Sequence, residues 1–435
     1  GPSWQGLPGR AFLAGRWPWT SVAGARRLTT MRSAPHDPAA AGSGPVRLWD
    51  VDWLRVLAIV GIFAYHVGRL FDDLDAWHVK FHELTSWLTY PMAFGSQFVM
   101  PLFWVLSGMG TRFALGTLAV AAFLQRRAAR LLVPVVTLGW WVSGPVQVYI
   151  ESTTDQHYIA PAFDGTWGEF LPAYVTHGLY GFGGFFAWNG LHLWYLTYLF
   201  LFTVASLPLF VWLRTPAGER LLGRVAGVLC RPGALYVLAV PLLGMEAFLP
   251  RGVPVLAWVE GGWLLGSHWI FFLVGFLLVC DPRLRPAIQR HRWPSLVLAT
   301  ATTVPLVLLV GGIDAMAFGS AEFTGFMSLR SLNGWLWLLA ILGFGSRLAR
   351  PARILGYLGP AVLPFYILHQ PLIVGLGYLV RDWTVPIPVM YAGVALTVLA
   401  ISAGLYEFAI RRVAVLRLLF GLNPRPAPER RGLSG

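Results

Sequence analysis

Charge is scarce in this sequence: Asp, Glu, Lys and Arg make up only 12% of 435 residues, against 56% hydrophobic residues. A soluble globular domain carries about 25% charged residues, so the bilayer is the solvent this chain expects. Acidic residues are the rarer sign, 20 against 33 Lys and Arg. Cysteine is scarcer still. Cys230 and Cys280 both fall near expected cytoplasmic helix ends, where thiols stay reduced, so no disulfide framework is implied. There is no Walker phosphate loop, GxSxG elbow, HExxH or CxxC, and no metal centre or internal repeat is expected. Residues 1–47 hold no apolar stretch long enough for a signal peptide. They are expected to be a disordered tail, with Gly1-Pro2 as a cleavage remnant and Met31 as a plausible start.

What the chain does have is a succession of mostly apolar windows of about 17 residues or more, each able to cross a hydrocarbon core about 30 Å thick as a helix. The reading is all-α, a polytopic membrane bundle of about ten spans at 49–68, 95–115, 131–150, 190–213, 234–250, 264–280, 294–313, 332–346, 361–380 and 388–410. The membrane domain then covers 48–410, with 411–435 as a basic cytoplasmic tail. Alternate loops set the orientation. One side carries 27 Lys and Arg and the other 5, which places both termini in the cytoplasm. Because these arginines lie in short loops beside apolar spans, a nucleic-acid-binding face is excluded. The 21 Trp fit interfacial belts.

Ionisable residues inside spans cost about 2.5–3.5 kcal/mol each on insertion scales and call for a reason. Arg55 and His66 are eleven residues apart in the first span, close to three helical turns, so they share a face about 16 Å apart along the axis. Two readings remain open: an inward-facing functional pair, or Arg55 snorkelling beside Asp52 with His66 capping the outer end. Arg126, Arg127 and Arg130 cluster at the start of the third span, where guanidinium groups suit bidentate capture of phosphate and equally suit ordinary anchoring. Further polar candidates at membrane depth are Ser107, His192, Glu246 and the run LPFYILHQPL with Tyr366, His369 and Gln370. Three histidines permit axial haem ligation, but no spacing demands it. The residues alone fit a transporter, or an enzyme whose ionic substrate arrives from the cytoplasm.

In their order and setting, these motifs resemble the acyltransferase 3 family of membrane proteins, O-acyltransferases of bacterial surface polysaccharides and glucans. DWLRVLAIVGIFAYH is similar to the family's arginine, ten residues, then histidine; RRAAR, with Arg127 and Arg130, to its paired arginines; and FWVLSGM, HLWYLTYLF and FYILHQPLI to its supporting runs. The opening segment is similar to the glucan succinyltransferase-like subgroup, although Met109 and Gly110 depart from the aromatic that often follows the LSG run. The resemblance implies a bacterial inner-membrane enzyme with no bound cofactor, moving acetyl or succinyl from cytosolic acyl-CoA to a carbohydrate hydroxyl on the far side. It implies Arg126, Arg127 and Arg130 as donor-binding, and His66 with Arg55 as the catalytic set, His66 taking the hydroxyl proton or holding the acyl group. Three turns from His66, Arg55 suits the donor phosphates or a structural pairing better than the reacting carbonyl. Ser107, His192, Tyr366 and His369 are supporting residues. The alternative is a transporter or flippase of an anionic or glycan substrate.

Overall fold

In a computed structural model, residues 48–154, 156, 158–252, 255–309, 312 and 315–423 are described. The expected tail 1–47 and residues 424–435 lie outside them. The described chain runs α1 (Trp49–Gly68), α2 (Ser86–Ser96), α3 (Val99–Thr117), α4 (Val120–Pro134), α5 (Gly144–Thr153), α6 (Trp167–Thr176), α7 (Trp194–Trp212) and α8 (Pro216–Leu229). It continues through α9 (Val240–Phe248), the two-residue strands β1 (Val259–Glu260) and β2 (Trp263–Leu264), α10 (Leu265–Leu278) and α11 (Leu284–Leu308). The last elements are α12 (Ala321–Gly345), α13 (Ile354–Val380), α14 (Ile387–Leu405) and the short α15 (Ala414–Leu419). This is an all-α, multi-pass membrane bundle.

Seven helices among the described residues are long and apolar enough to cross a membrane, or eight if a bent pair is one span. The expectation of ten is therefore not confirmed. The three windows outside the seven have separate physical reasons. Residues 234–250 follow a break at Arg231–Gly233 and meet α8 at 114°. Helix α10 has 14 residues, about 21 Å of rise, because its preceding residues turn into the β1–β2 hairpin. The window 294–313 overlaps the distal half of α11, which ends at Leu308 and whose first turns carry Arg285, Arg290, His291 and Arg292.

Small residues let α3 and α10 cross at backbone distance. A Cβ on Gly108 would lie 2.0 Å from the Phe272 carbonyl oxygen, and one on Gly275 would lie 2.0 Å from that of Val105. Such close crossings are a main source of helix association where lipid is as apolar as leucine. The largest core cluster surrounds this crossing, with Trp104, Trp335, Phe271 and Phe272 fully buried. A second cluster joins the end of α1 to α13 and α14 through Val67, Ile373 and Val374. The segment after α1 folds back over that seam: Arg69 pairs with Asp72 and Asp75, and Lys80 with Asp72. The expected tail begins with α15, and Gly421 packs against the Arg130 carbonyl.

Candidate active site

Helix α13 is built to spare a carbonyl. Pro371 has no N–H to give the Ile367 oxygen one turn earlier, and that oxygen accepts the His192 Nε2–H bond at 3.0 Å. The Tyr366 hydroxyl donates to the His192 carbonyl at 2.5 Å. His369 sits on the same helix with Nδ1 at 2.6 Å from the Tyr366 carbonyl, and its Nε2 is 2.9 Å from Nδ1 of His66 on α1.

These contacts fix the protons by elimination. A carbonyl only accepts, so His369 carries its hydrogen on Nδ1 and, when neutral, presents a lone pair at Nε2. His66 must then donate from Nδ1, which leaves its Nε2 as the free lone pair. The ring of His66 lies parallel to Trp77 at 6.0 Å. Together with His192, Trp194, Tyr366, Gln370 and Gly261, it lines a narrow cleft of about 70 Å³.

A second chain of bonds ties the neighbours down. The Gln370 amide donates to His78 Nε2 at 3.1 Å and to Gln147 Oε1 at 3.2 Å. Gln147 donates in turn to the Ser143 carbonyl at 2.9 Å and to His192 Nδ1 at 3.3 Å. His78 Nδ1 pairs with Glu151, whose other oxygen accepts the Ile159 and Ala160 amides at 2.6 Å each. Every donor finds an acceptor with no conflict. A fully satisfied buried network of this kind is rigid.

The arginines gather at the other end of the bundle. Arg55 Nη2 donates to the Leu106 carbonyl at 3.1 Å, and Nη1 lies 3.5 Å from Asp52. Arg127 donates to Thr111 Oγ1 at 3.2 Å, while its buried Nε has no hydrogen-bond partner. The charges of Arg55, Arg127 and Arg130 act on one another and on the Tyr195 hydroxyl. Arg126 and Arg130 are both exposed, whereas Arg127 is half-buried. Tyr195 bridges the two ends. Its hydroxyl is 2.5 Å from Ser107 Oγ, and its ring centroid is 6.1 Å from that of Tyr366.

The structure thus gathers His66, His192, Tyr366 and Gln370 at one cleft, with the buried His369 bonded to His66, and Arg55, Arg127 and Arg130 at a separate cationic end, with Ser107 between them. Glu246 lies elsewhere, bonded to Ser267 and the Leu264 amide and facing Arg330. Tyr195, Gln147, Glu151 and His78 joined the network unannounced by the sequence. Gln147 and Glu151 did carry a signal, two polar groups one turn apart in an apolar span. His78 lies in a loop, where no periodicity could mark it.

A family model described as "Acyltransferase domain" matches residues 48–407. Proteins named glucans biosynthesis protein C from Salmonella paratyphi B and Salmonella dublin are each 22% identical to the chain over 399 residues, covering 88% of this chain and 96% of theirs. No solved structure matches. With its membrane helices, ordered motifs and a family match over most of its length, the chain belongs to the acyltransferase 3 family and is an O-acyltransferase.

Proposed function

We propose that this protein moves an acyl group, acetyl or succinyl, from cytosolic acyl-CoA to a hydroxyl of a glucan or related carbohydrate across a bacterial inner membrane. The observation that carries this reading is the His66–His369 pair in its cleft, joined through Tyr195 to the arginine cluster. Coenzyme A brings several phosphates, and Arg127 with Arg130 offers charge-assisted donors to them. The unpartnered Arg127 Nε is one such donor. Arg55 supports the same end. His66 Nε2 takes the acceptor hydroxyl proton as the oxygen attacks the thioester carbon, and the carbon–sulfur bond breaks to release coenzyme A, whose thiolate recovers a proton. His369, held by the Tyr366 carbonyl, keeps the His66 proton on Nδ1 so that this base is available. His192, Tyr366 and Ser107 hold the frame.

The direct test supplies the purified protein with labelled acetyl- or succinyl-CoA and glucose oligosaccharides. Acceptor-dependent release of coenzyme A is expected. Transport of the carbohydrate into liposomes without donor consumption would overturn the reading in favour of a transporter. The 27 to 5 split of Lys and Arg supports cytoplasmic termini. Cysteine labelling is expected to find both tails on the cytoplasmic side and to reach positions in 151–189 only from the opposite side.

Replacing Arg127 or Arg130 by alanine is expected to remove about 1.5–3 kcal/mol of charge-assisted contact each. The loss should fall on donor affinity, read as a rise in the acyl-CoA dissociation constant with single-turnover chemistry preserved at saturation. An equal fall of binding and chemistry in both variants would contradict a donor-binding role.

A further inference from the structure

Gln370 is wedged between two acceptors. Gln147 commits both of its amide hydrogens, to the Ser143 carbonyl at 2.9 Å and to His192 Nδ1 at 3.3 Å, so it can turn only its own oxygen toward Gln370. That oxygen accepts one Gln370 amide hydrogen at 3.2 Å. His78 Nε2 accepts the other at 3.1 Å, because the Nδ1 hydrogen of His78 goes to Glu151. Turning the Gln370 amide over would set oxygen against oxygen at Gln147, so its orientation is fixed.

With both hydrogens committed, the Gln370 Oε1 is the end left over. It accepts no hydrogen bond from the described residues, although the residue is only 4% exposed. The oxygen is not sealed in, and Gln370 lines the cleft together with His66. A carbonyl left unmet in so dry a place is costly unless a donor comes to it. Other polar groups of the cleft wall turn their hydrogens inward: His192, Tyr366 and Ser96 donate to the Ile367, His192 and Ala93 carbonyls. The cleft therefore offers two fixed acceptors, the His66 Nε2 lone pair and the Gln370 oxygen. Such a pair suits a ligand with two hydroxyls and disfavours a phosphate or carboxylate, which has no hydrogen to give.

The place of Gln370 along the bundle indicates which substrate meets it. Arg55 stands near the start of α1, whereas His78 lies in the segment after that helix. Arg127 and Arg130 stand in the first half of the span Val120–Thr153, and Glu151 near its end. Gln370 is thus held from the end of the bundle remote from the arginines. We propose that Gln370 Oε1 accepts a hydrogen bond from a second hydroxyl of the acceptor carbohydrate, distinct from the one that His66 deprotonates, and so selects which position is acylated. Gln147, His78 and Glu151 are its positioning residues. The proposal rests on the acyltransferase reading for the identity of the ligand.

The experiment uses the full chain in lipid nanodiscs, with glucose oligosaccharides and their monodeoxy analogues as probes. Transfer, oligosaccharide binding without donor, and acyl-CoA binding are measured for the native protein, Gln370→Met and Gln370→Glu. In the native protein, one analogue besides that lacking the reacting hydroxyl is expected to lose about tenfold in kcat/KM, the worth of a hydrogen bond to a buried partner. Gln370→Met, which removes the oxygen, is expected to bring the intact oligosaccharide down to the level of that analogue, with the acyl-CoA dissociation constant unchanged. Gln370→Glu keeps an accepting oxygen and is expected to keep the discrimination. A native panel with no second discriminating position would overturn the proposal, as would undiminished discrimination in Gln370→Met or a loss that falls on acyl-CoA affinity. If Gln370→Met does not fold, Gln370→Asn, which withdraws the oxygen by one methylene, takes its place with the same expectation. Oligosaccharide binding that depends on Gln370 and on the second hydroxyl, in a protein that consumes no acyl-CoA, would uphold the subsite and overturn the acyltransferase reading instead.

Discussion

Glutamine at position 66 is expected to lower turnover by about 10²–10⁴-fold, the usual span for removal of a general base, while the protein inserts normally and still binds donor. The argument is the proton count around the pair. Because the Tyr366 carbonyl holds His369 in one tautomer, His66 is left with a lone pair at Nε2, and glutamine keeps the polarity and approximate size but offers no basic nitrogen to take up a proton. His369→Gln is expected to do much less damage. Its side-chain oxygen can still accept from His66 Nδ1, so the partner's tautomer survives. Single-turnover assays at matched protein levels check both. Near-native turnover in His66→Gln would remove the base assignment, and a larger loss in His369→Gln would move the role to that residue.

The second large effect is on stability. Arg330 is buried with Glu246 at 3.5 Å, and it also touches Gly262 and Trp263. Removing one member of a buried pair leaves the other charge uncompensated and costs about 3–5 kcal/mol. Arg330→Met is therefore expected to lower the detergent-solubilised melting temperature sharply, and Arg330→Met with Glu246→Gln to recover part of the loss. Arg251, 3.8 Å from the same carboxylate, is exposed enough to water that its removal should cost much less. An unchanged melting temperature in Arg330→Met would show that the pair contributes nothing.

Apolar periodicity made the bundle legible, because a residue's preference for lipid or protein over water is a local property. The first span shows how far that goes. The positions of Arg55 and His66 on one face followed from helical spacing, but the partner of His66 came from a helix 303 residues further on. Single-sequence reasoning has no access to such pairings. His369 was visible in the polar run LPFYILHQPL, yet that Pro371 frees a carbonyl for His192 required the fold. The hairpin was missed for a different reason. Four strand residues inside an apolar stretch look like the start of a span, and only the paired glycines at 261 and 262 hint at a turn. Glu246 was visible as a costly charge, but its role as an anchor depended on Arg330, which sequence counting had assigned to a loop.

One helix separates the arginine cluster from the histidine pair. Arg55 and His66 are fixed on α1, and eleven residues of α-helix set them about 16 Å apart. The helix therefore acts as a ruler. A molecule that engages the arginines with its phosphates and brings a reactive carbon to the imidazole must be long, slender and flexible in the middle. On the proposed reading, a compact acyl phosphate would reach one end or the other, never both, and donors would be sorted by length as much as by charge.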